Sequence, residues 1–272
     1  MRKIILITGA TDGIGLETAK QLGRMGYDLI IHGRNGDRIK KAIDIIAHAA
    51  SDKIELFPIK ADFSSFEEVR EMVQEIKGNF SRLDVLINNA GVFMPREVIT
   101  PDGFEATFQI NHLSHFLLTV LLFDKIAVSD KGRIITVSSM AHSSSKIDFD
   151  NLRGEKNYDA YDAYARSKLA NILFTFHLAE RIMKKGVTAN CLHPGVIATK
   201  LLHAGWGPFG ADVETGAETS VFLATSENVK NVTGKYFVNK TPTMPASIAF
   251  DERHQRELWE FSAEATKADL NI

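Results

Sequence analysis

The chain has 272 residues, 44% hydrophobic and 24% charged, which is enough apolar material for a large core and far from the composition of a disordered chain. A formal net charge of -2 and a pI near 6.5 exclude a global basic field that would draw in nucleic acid or anionic lipid. The single cysteine, Cys191, lies in an apolar run, which excludes an internal disulfide framework and fits a reducing compartment, so a cytoplasmic location is expected.

The opening residues MRKIILITG run into an apolar segment too short for a signal-peptide core, and no stretch of ~18 apolar residues suggests a membrane span. KIILIT reads as the first strand and is followed by an amphipathic helix from Gly13 to Met25. DLIIH and IELFPI are the next strands, with a helix from Asp37 to Ala50 between them. A helix over Ser65–Ile76, the strand LDVLIN, a long segment from Asp102 to Val128, the strand RIITVS, a helix from about Asp162 to Lys184 and the strand VTANCLH continue the alternation. Within the long segment, FLLTVLLF (116–123) reads as buried helix.

Each strand is a nearly continuous Ile/Val/Leu run, the pattern of strands covered on both faces. Right-handed crossovers then predict an α/β fold, a doubly wound parallel sheet of Rossmann type, in a single domain spanning 1–272 with ligands at the carboxyl ends of the strands. Two segments interrupt the pattern. Residues 140–161 read as a polar surface excursion, and residues 199–213, TKLLHAGWGPFGADV, as a glycine-bearing loop. The end, from Asp251 to Lys267, carries Leu258, Phe261, Ser262 and Ala265 at helical spacing and is expected to dock on the body.

ITGATDGIG (7–15) joins the first strand to the first helix. Gly9 permits a tight turn, Gly13 lets a pyrophosphate approach the backbone, and Gly15 allows close packing of helix on strand, with amide groups facing the anion. The second strand ends in HGRN (32–35), where an acidic residue would take the ribose hydroxyls of NAD; here Arg34 stands instead, and a guanidinium suits the 2′-phosphate of NADP(H). Stacking on adenine or capping the next helix is the alternative role for Arg34. Asp62 is placed either to meet the adenine edge or to cap the following helix.

YDAYDAYARSK (158–168) sets three tyrosines at intervals of three. Side chains four apart share a helix face, so only Tyr164 has a cation, Lys168, beside it. A nearby ammonium favours the phenolate, whereas Asp162 would have the opposite influence on Tyr158. The alternative is an ordinary solvated helix contact.

The motifs fall in a fixed order over nearly the whole chain: TGATDGIG (8–15), NNAG (88–91), Asn111 within FQINHLSH, VSS (137–139), YARSK (164–168) and PGVIAT (194–199). In this the chain resembles the short-chain dehydrogenase/reductase family. GRIITVSSMAH, GEKNYDAYDAYARSKLANILFT and HPGVIATKL further resemble its retinol dehydrogenase-like branch, which reduces or oxidises lipophilic carbonyl compounds and alcohols. The resemblance implies that Tyr164 is the general acid/base, that Lys168 lowers its pKa and holds the nicotinamide ribose, that Ser139 bonds the substrate oxygen, and that Asn111 holds a water linking Lys168 to solvent. It also implies nucleotide contacts from Gly9, Thr11, Asp12, Gly13, Ile14 and Gly15, from Arg34 and Asn35, and from Asp62 and Phe63. Asn89, Ala90 and Gly91 join them, although Asn88–Gly91 could equally secure the central strands. Pro194, Gly195, Val196, Ile197 and Thr199 would pass beneath the nicotinamide.

The expected activity is hydride transfer between NADP(H) and a small lipophilic carbonyl or alcohol. Asp12 would repel a 2′-phosphate if close, which leaves NAD(H) open. Leu201, Leu202, Trp206 and Phe209 would form a substrate lid near 199–213, with Phe93 and Met94 in the pocket wall; alternatively the loop covers its own core. The reading from a different class is a catalytically silent NADP-sensing or scaffold protein, against which the intact Ser139, Tyr164 and Lys168 argue. The glycine spacing TGxxxGxG also disfavours the extended-branch epimerases. His112 and His115 share a helix face without a third ligand, so no metal is expected. The amino-terminal anchor common among vertebrate retinol enzymes is not expected here, which weakens any inference to retinoids. The apolar circumference of the tyrosine helix fits either burial within the chain or a homo-oligomer contact.

Overall fold

The computed structural model describes residues 2–51, 53–153 and 156–270. One sheet collects eight strands in the order β3-β2-β1-β4-β5-β6-β7-β8. These are β1 (Ile4–Ile7), β2 (Asp28–Gly33), β3 (Leu56–Lys60), β4 (Val85–Asn88), β5 (Arg133–Val137), β6 (Thr188–His193), β7 (Tyr236–Val238) and β8 (Thr241–Thr243). All pair in parallel except β8, which turns back along β7. The order reverses between β1 and β4, and that switch point opens a crevice at the strands' carboxyl ends. Pro58 sits inside β3, which pairs only with β2 and so tolerates the missing amide.

The period of two along each strand divides the core into two layers. Ile5, Ile7, Leu29, Ile31, Val85 and Ile87 point to one face, against α1 (Gly13–Arg24), α2 (Gly36–Ala49) and α8 (Val213–Thr225). Leu6, Ile30, Leu86 and Ile134 point to the other, against α3 (Phe66–Asn79), α5 (Ser114–Ala127), α6 (Ala160–Arg181) and α9 (Glu252–Thr266). These strand residues are essentially inaccessible, and burial of each such side chain is worth roughly 1.5–3 kcal/mol.

Helix starts follow side-chain caps. Asp159 accepts from the amide of Asp162, so α6 begins at Ala160 and Tyr158 lies outside it. The expected Tyr158–Asp162 helix pair is therefore not formed; Tyr158 instead donates its hydroxyl to the carbonyl of Met94 at 2.6 Å. Within the segment expected to be helical from Asp102, Gly103 takes φ +84 and the helix waits until Ala106. The buried carboxylate of Glu105 accepts from the amides of Thr107 and Phe108. The short helix α4 (Ala106–Phe108) then passes through a π-helical turn, Gln109–Leu113, into α5. Contrary to expectation, Ala106–Ala127 is long and apolar enough by composition to span a bilayer, but its most apolar window is 94% buried within the fold.

The excursion at 140–161 holds two 3₁₀ turns, Met140–Ser144 and Phe149–Asn151, and is pinned by the buried Ile147 and Leu152. The sequence reading assigns no element to Val213–Thr225 or to β7 and β8. At the end, Asp251 caps α9, whose Trp259 stacks on Phe174 with ring centroids 6.0 Å apart and meets Phe116 edge-on. This docking accounts for part of the apolar circumference of α6 from within the chain.

Candidate active site

The glycine turn is tight because β1 and β4 meet beneath it. Gly9 has φ +65, and a Cβ there would stand 2.9 Å from Cα of Ala90; a Cβ on Gly15 would stand 2.3 Å from the carbonyl of Gly9. Thr8 ties the two segments, its hydroxyl oxygen accepting from the amides of Asn89 at 2.8 Å and Ala90 at 2.9 Å. His32, which the sequence reading passes over, holds the turn from the other side. Its Nδ1 accepts from the Gly9 amide at 3.1 Å, and its Nε2 donates to the carbonyl of Ala61 at 3.0 Å. Stacked on Phe63 at 4.4 Å and buried, its imidazole is pushed down to about 4 and stays neutral.

Past the end of β2, Arg34 and Arg38 are both exposed and line the same cleft. The carboxamide of Asn35 is committed to capping α2, accepting from the Arg38 amide at 3.0 Å. Asp62 does not cap α3, because Ser65 does so by accepting from the Glu68 amide; Asp62 instead accepts from the amide and hydroxyl of Ser64. Asp12 caps α1 through the Gly13 amide and forms an ion pair with Lys200 of α7 (Lys200–Trp206). Partial burial raises its carboxyl, but the bonds from Lys200 and the Gly13 amide outweigh this and hold it below the ordinary carboxylate range. Its charge is therefore paired with the Lys200 ammonium.

At the other end of the cleft, Tyr164 and Lys168 project from α6 and Ser139 from the turn after β5. The two serines of VSS separate cleanly. Ser138 donates its hydroxyl to the main-chain carbonyl of Lys168 at 2.7 Å, while Ser139 caps the following 3₁₀ turn and lines the cleft with Tyr164. The expected acidification of Tyr164 is corrected by this geometry: burial pushes the phenol up to about 12, against the pull of Ser139. Lys168 lies 5.5 Å from the ring centroid of Tyr164, donates to the carbonyl of Val137 at 3.2 Å and is itself pushed down by burial to about 8.

Asn111 lies behind the cleft wall, in the π-helical turn. Its carboxamide accepts from the Val92 amide and donates to the Val92 carbonyl and to Ser167, so both its N–H donors are committed to protein partners. His112 and His115, buried on the same turn, each make hydrogen bonds through both ring nitrogens, which gives them a structural role. Among the described residues no cluster of three or more His, Cys, Asp or Glu side chains forms a metal site.

Every other residue expected in the cofactor or substrate site lines one cleft of about 1360 Å³, larger than the ~300–1,000 Å³ of a typical small-molecule pocket. The segment expected to be a loop lid contains α7, capped by Thr199. Trp206 from that helix packs on Phe93 at 5.1 Å, Tyr164 at 5.5 Å and Tyr161 at 5.9 Å between ring centroids. Leu201 joins the apolar cluster of Ala141, Tyr164 and Ala165, while Phe209 is 52% exposed at the rim. Lys20, Arg38, Tyr161, His193 and Lys200 also line the cleft without having been anticipated. Arg38 had a readable signal, a second arginine four residues after Arg34 in the first turn of the following helix.

Strand-turn-helix at the switch point, with Ser139, Tyr164 and Lys168 at its mouth, defines a dinucleotide-dependent oxidoreductase. Residues 3–206 match the short chain dehydrogenase family model, and the chain belongs to that family, in its retinol dehydrogenase-like branch. It is 38% identical to human polyprenol dehydrogenase over 97% of this chain and 85% of that one. It is 40% identical to human retinol dehydrogenase 13 over 96% of this chain and 83% of the relative. Among solved structures, a protein from Mycobacterium paratuberculosis superposes with a TM-score of 0.83 at 28% identity, covering 99% of this chain and 95% of that one. A short-chain dehydrogenase from Shigella flexneri complexed with NADP gives 0.69 at 25% identity, covering 88% and 97%.

Proposed function

We propose that this protein is an NADP(H)-dependent carbonyl reductase or alcohol dehydrogenase acting in the cytoplasm on a small lipophilic substrate. The observation that carries this reading is the polarity of the cleft: Arg34 and Arg38 at one end, Ser139, Tyr164 and Lys168 at the other, and Phe93 and Trp206 against the catalytic phenol. A dinucleotide fits these residues. A Cβ on Gly91 would enter the space 3.4 Å from Lys168 Nζ, the first turn of α1 offers amides to a pyrophosphate, and two guanidinium groups suit a 2′-phosphate. The relatives named for polyprenol and retinol support a lipophilic alcohol or aldehyde.

NADPH, when bound, supplies the hydride. As the substrate oxygen gains negative charge, Ser139 and Tyr164 donate hydrogen bonds to it, and Tyr164 releases its proton. Burial keeps the phenol protonated at neutral pH, the form that reduction needs. The ammonium of Lys168 near its ring favours the phenolate left behind. The aromatic wall and α7 exclude water from the reacting oxygen.

Oxidation of NADPH and NADH should be followed against a panel of carbonyl compounds graded by chain length. Turnover that prefers NADPH and rises with apolar bulk is the expected result. Tight NADPH binding with no turnover across the panel would favour the silent sensing protein instead.

A further inference from the structure

A buried line of hydrogen bonds runs from the C-terminal helix to the catalytic lysine. Ser262 of α9 meets His112 Nε2 at 2.9 Å, His112 Nδ1 meets Asn171 Oδ1 at 3.2 Å, and Asn171 Nδ2 donates to the Val137 carbonyl at 3.3 Å. Lys168 Nζ donates to that same carbonyl at 3.2 Å. Ser262, His112, Asn171 and Lys168 are at most 3% exposed, so water does not compete.

The partners fix the direction of every bond. A carbonyl only accepts, so the NH₂ end of Asn171 faces Val137 and its oxygen faces His112. Nδ1 of His112 must then carry the proton. The neutral ring leaves Nε2 as an acceptor, and the hydroxyl of Ser262 donates to it. Phe108 and Phe174 wall the imidazole.

We propose that His112 and Asn171 are positioning residues for Lys168, held in register by Ser262 of α9. With the amide oriented as it is, Val137 shares its lone pairs between two donors and Lys168 stays beside the Tyr164 ring. Were the amide reversed, its oxygen would face the Val137 carbonyl and offer Lys168 a rival acceptor, drawing the ammonium away from the phenol. The Nδ1–H of His112 forbids that reversal, and the hydroxyl of Ser262, by donating to Nε2, holds the ring in place. The inference rests on the reading of Lys168 as the group that supports Tyr164 and the cofactor.

The test compares Ser262→Ala, Ser262→Thr and Leu258→Ala in the full chain. Leu258 is buried on the same helix and lies outside the line of hydrogen bonds. The readouts are histidine-ring ¹⁵N spectra, NADPH titration by fluorescence, steady-state kinetics and Tm. Ser262→Ala is expected to shift the His112 Nε2 resonance by removing its donor while Nδ1 keeps its proton, to lower kcat and weaken NADPH binding about fivefold, the scale of one buried hydrogen bond, and to leave carbonyl KM unchanged. Ser262→Thr keeps the hydroxyl and should restore both values, while Leu258→Ala should lower Tm with the Nε2 resonance, kcat and NADPH affinity intact. An Nε2 resonance unmoved by Ser262→Ala, or equal losses of kcat and NADPH affinity in Ser262→Ala and Leu258→Ala, would overturn the proposal. If the wild type turns over no carbonyl, the spectra and the titration still decide the positioning, and only the proposed activity fails.

Discussion

The indole of Trp206 stands edge-on to the phenol of Tyr164, with ring centroids 5.5 Å apart and planes at 67°. The phenol proposed to move the proton is thus walled by a residue of the short helix α7. Replacing Trp206 with alanine should raise KM for bulky apolar substrates while leaving NADPH affinity unaltered, because the nucleotide contacts lie on other segments. Unchanged kinetics with large and small substrates alike would remove Trp206 from the pocket.

Ser138 and Ser139 are adjacent but face different partners, and they should fail differently. Ser139→Ala removes a donor to the developing oxyanion and is expected to lower kcat by about 10²–10³, with loss of its cap on the 3₁₀ turn costing about 1 kcal/mol of stability. Ser138→Ala removes the bond to the Lys168 carbonyl and should cost about 1 kcal/mol of stability. Tyr164→Phe, which keeps the ring and its packing on Phe93, should lower kcat by about 10²–10⁴. Steady-state assays paired with thermal melts distinguish the three; full turnover in Tyr164→Phe would refute the mechanism.

Cofactor choice should reside at the end of β2. Arg34→Asp is expected to weaken NADPH binding by one to two powers of ten, roughly the worth of a charge-assisted contact, and to spare NADH. Arg38→Ala should act in the same direction, more weakly. Asp12→Asn should change the NADPH-to-NADH preference little, since Lys200 already compensates that carboxylate. Fluorescence titrations with both nucleotides provide the measurement, and equal losses of NADPH and NADH in Arg34→Asp would locate phosphate recognition elsewhere.

How far the sequence could be read depended on how local each determinant was. Strands such as Ile4–Ile7 and Val85–Asn88 announce themselves as unbroken apolar runs because helices cover both faces. The cleft residues were legible wherever a motif carried them. His32 was not, since its role arises from Gly9 and Ala61, which lie 23 and 29 residues away along the chain. The helix Val213–Thr225 gave no clear apolar stripe because it packs through small residues: a Cβ on Gly216 would stand 2.8 Å from Ile197. The acidity expected of Tyr164 followed from the spacing to Lys168 alone, and the burial that reverses it is a property of the assembled fold.

Acid should destabilise the protein in a defined window. Burial pushes His32 and His112 down to about 4 and His115 to about 3, from an ordinary value of 6.5. Below pH 6.5 the unfolded chain takes up protons that the folded chain refuses, so stability falls as pH drops and continues to fall until these folded-state values are passed. At about pH 5.5 each imidazole contributes about 1.4 kcal/mol of destabilisation, and about 4 kcal/mol together is a large share of a typical 5–15 kcal/mol. Melts at about pH 7.5 and about pH 5.5 should show a clear drop in Tm; a flat profile would mean that these rings are not buried as neutral species.

Pro58 has a consequence for behaviour at high concentration. On β3 the amide of Ala61 turns inward to the Gly33 carbonyl, and by alternation the nitrogen of residue 58 turns outward. Proline leaves that outward position with no hydrogen to offer. A second molecule approaching the rim of the sheet finds its ladder interrupted midway, which disfavours strand-to-strand polymerisation in crowded solution.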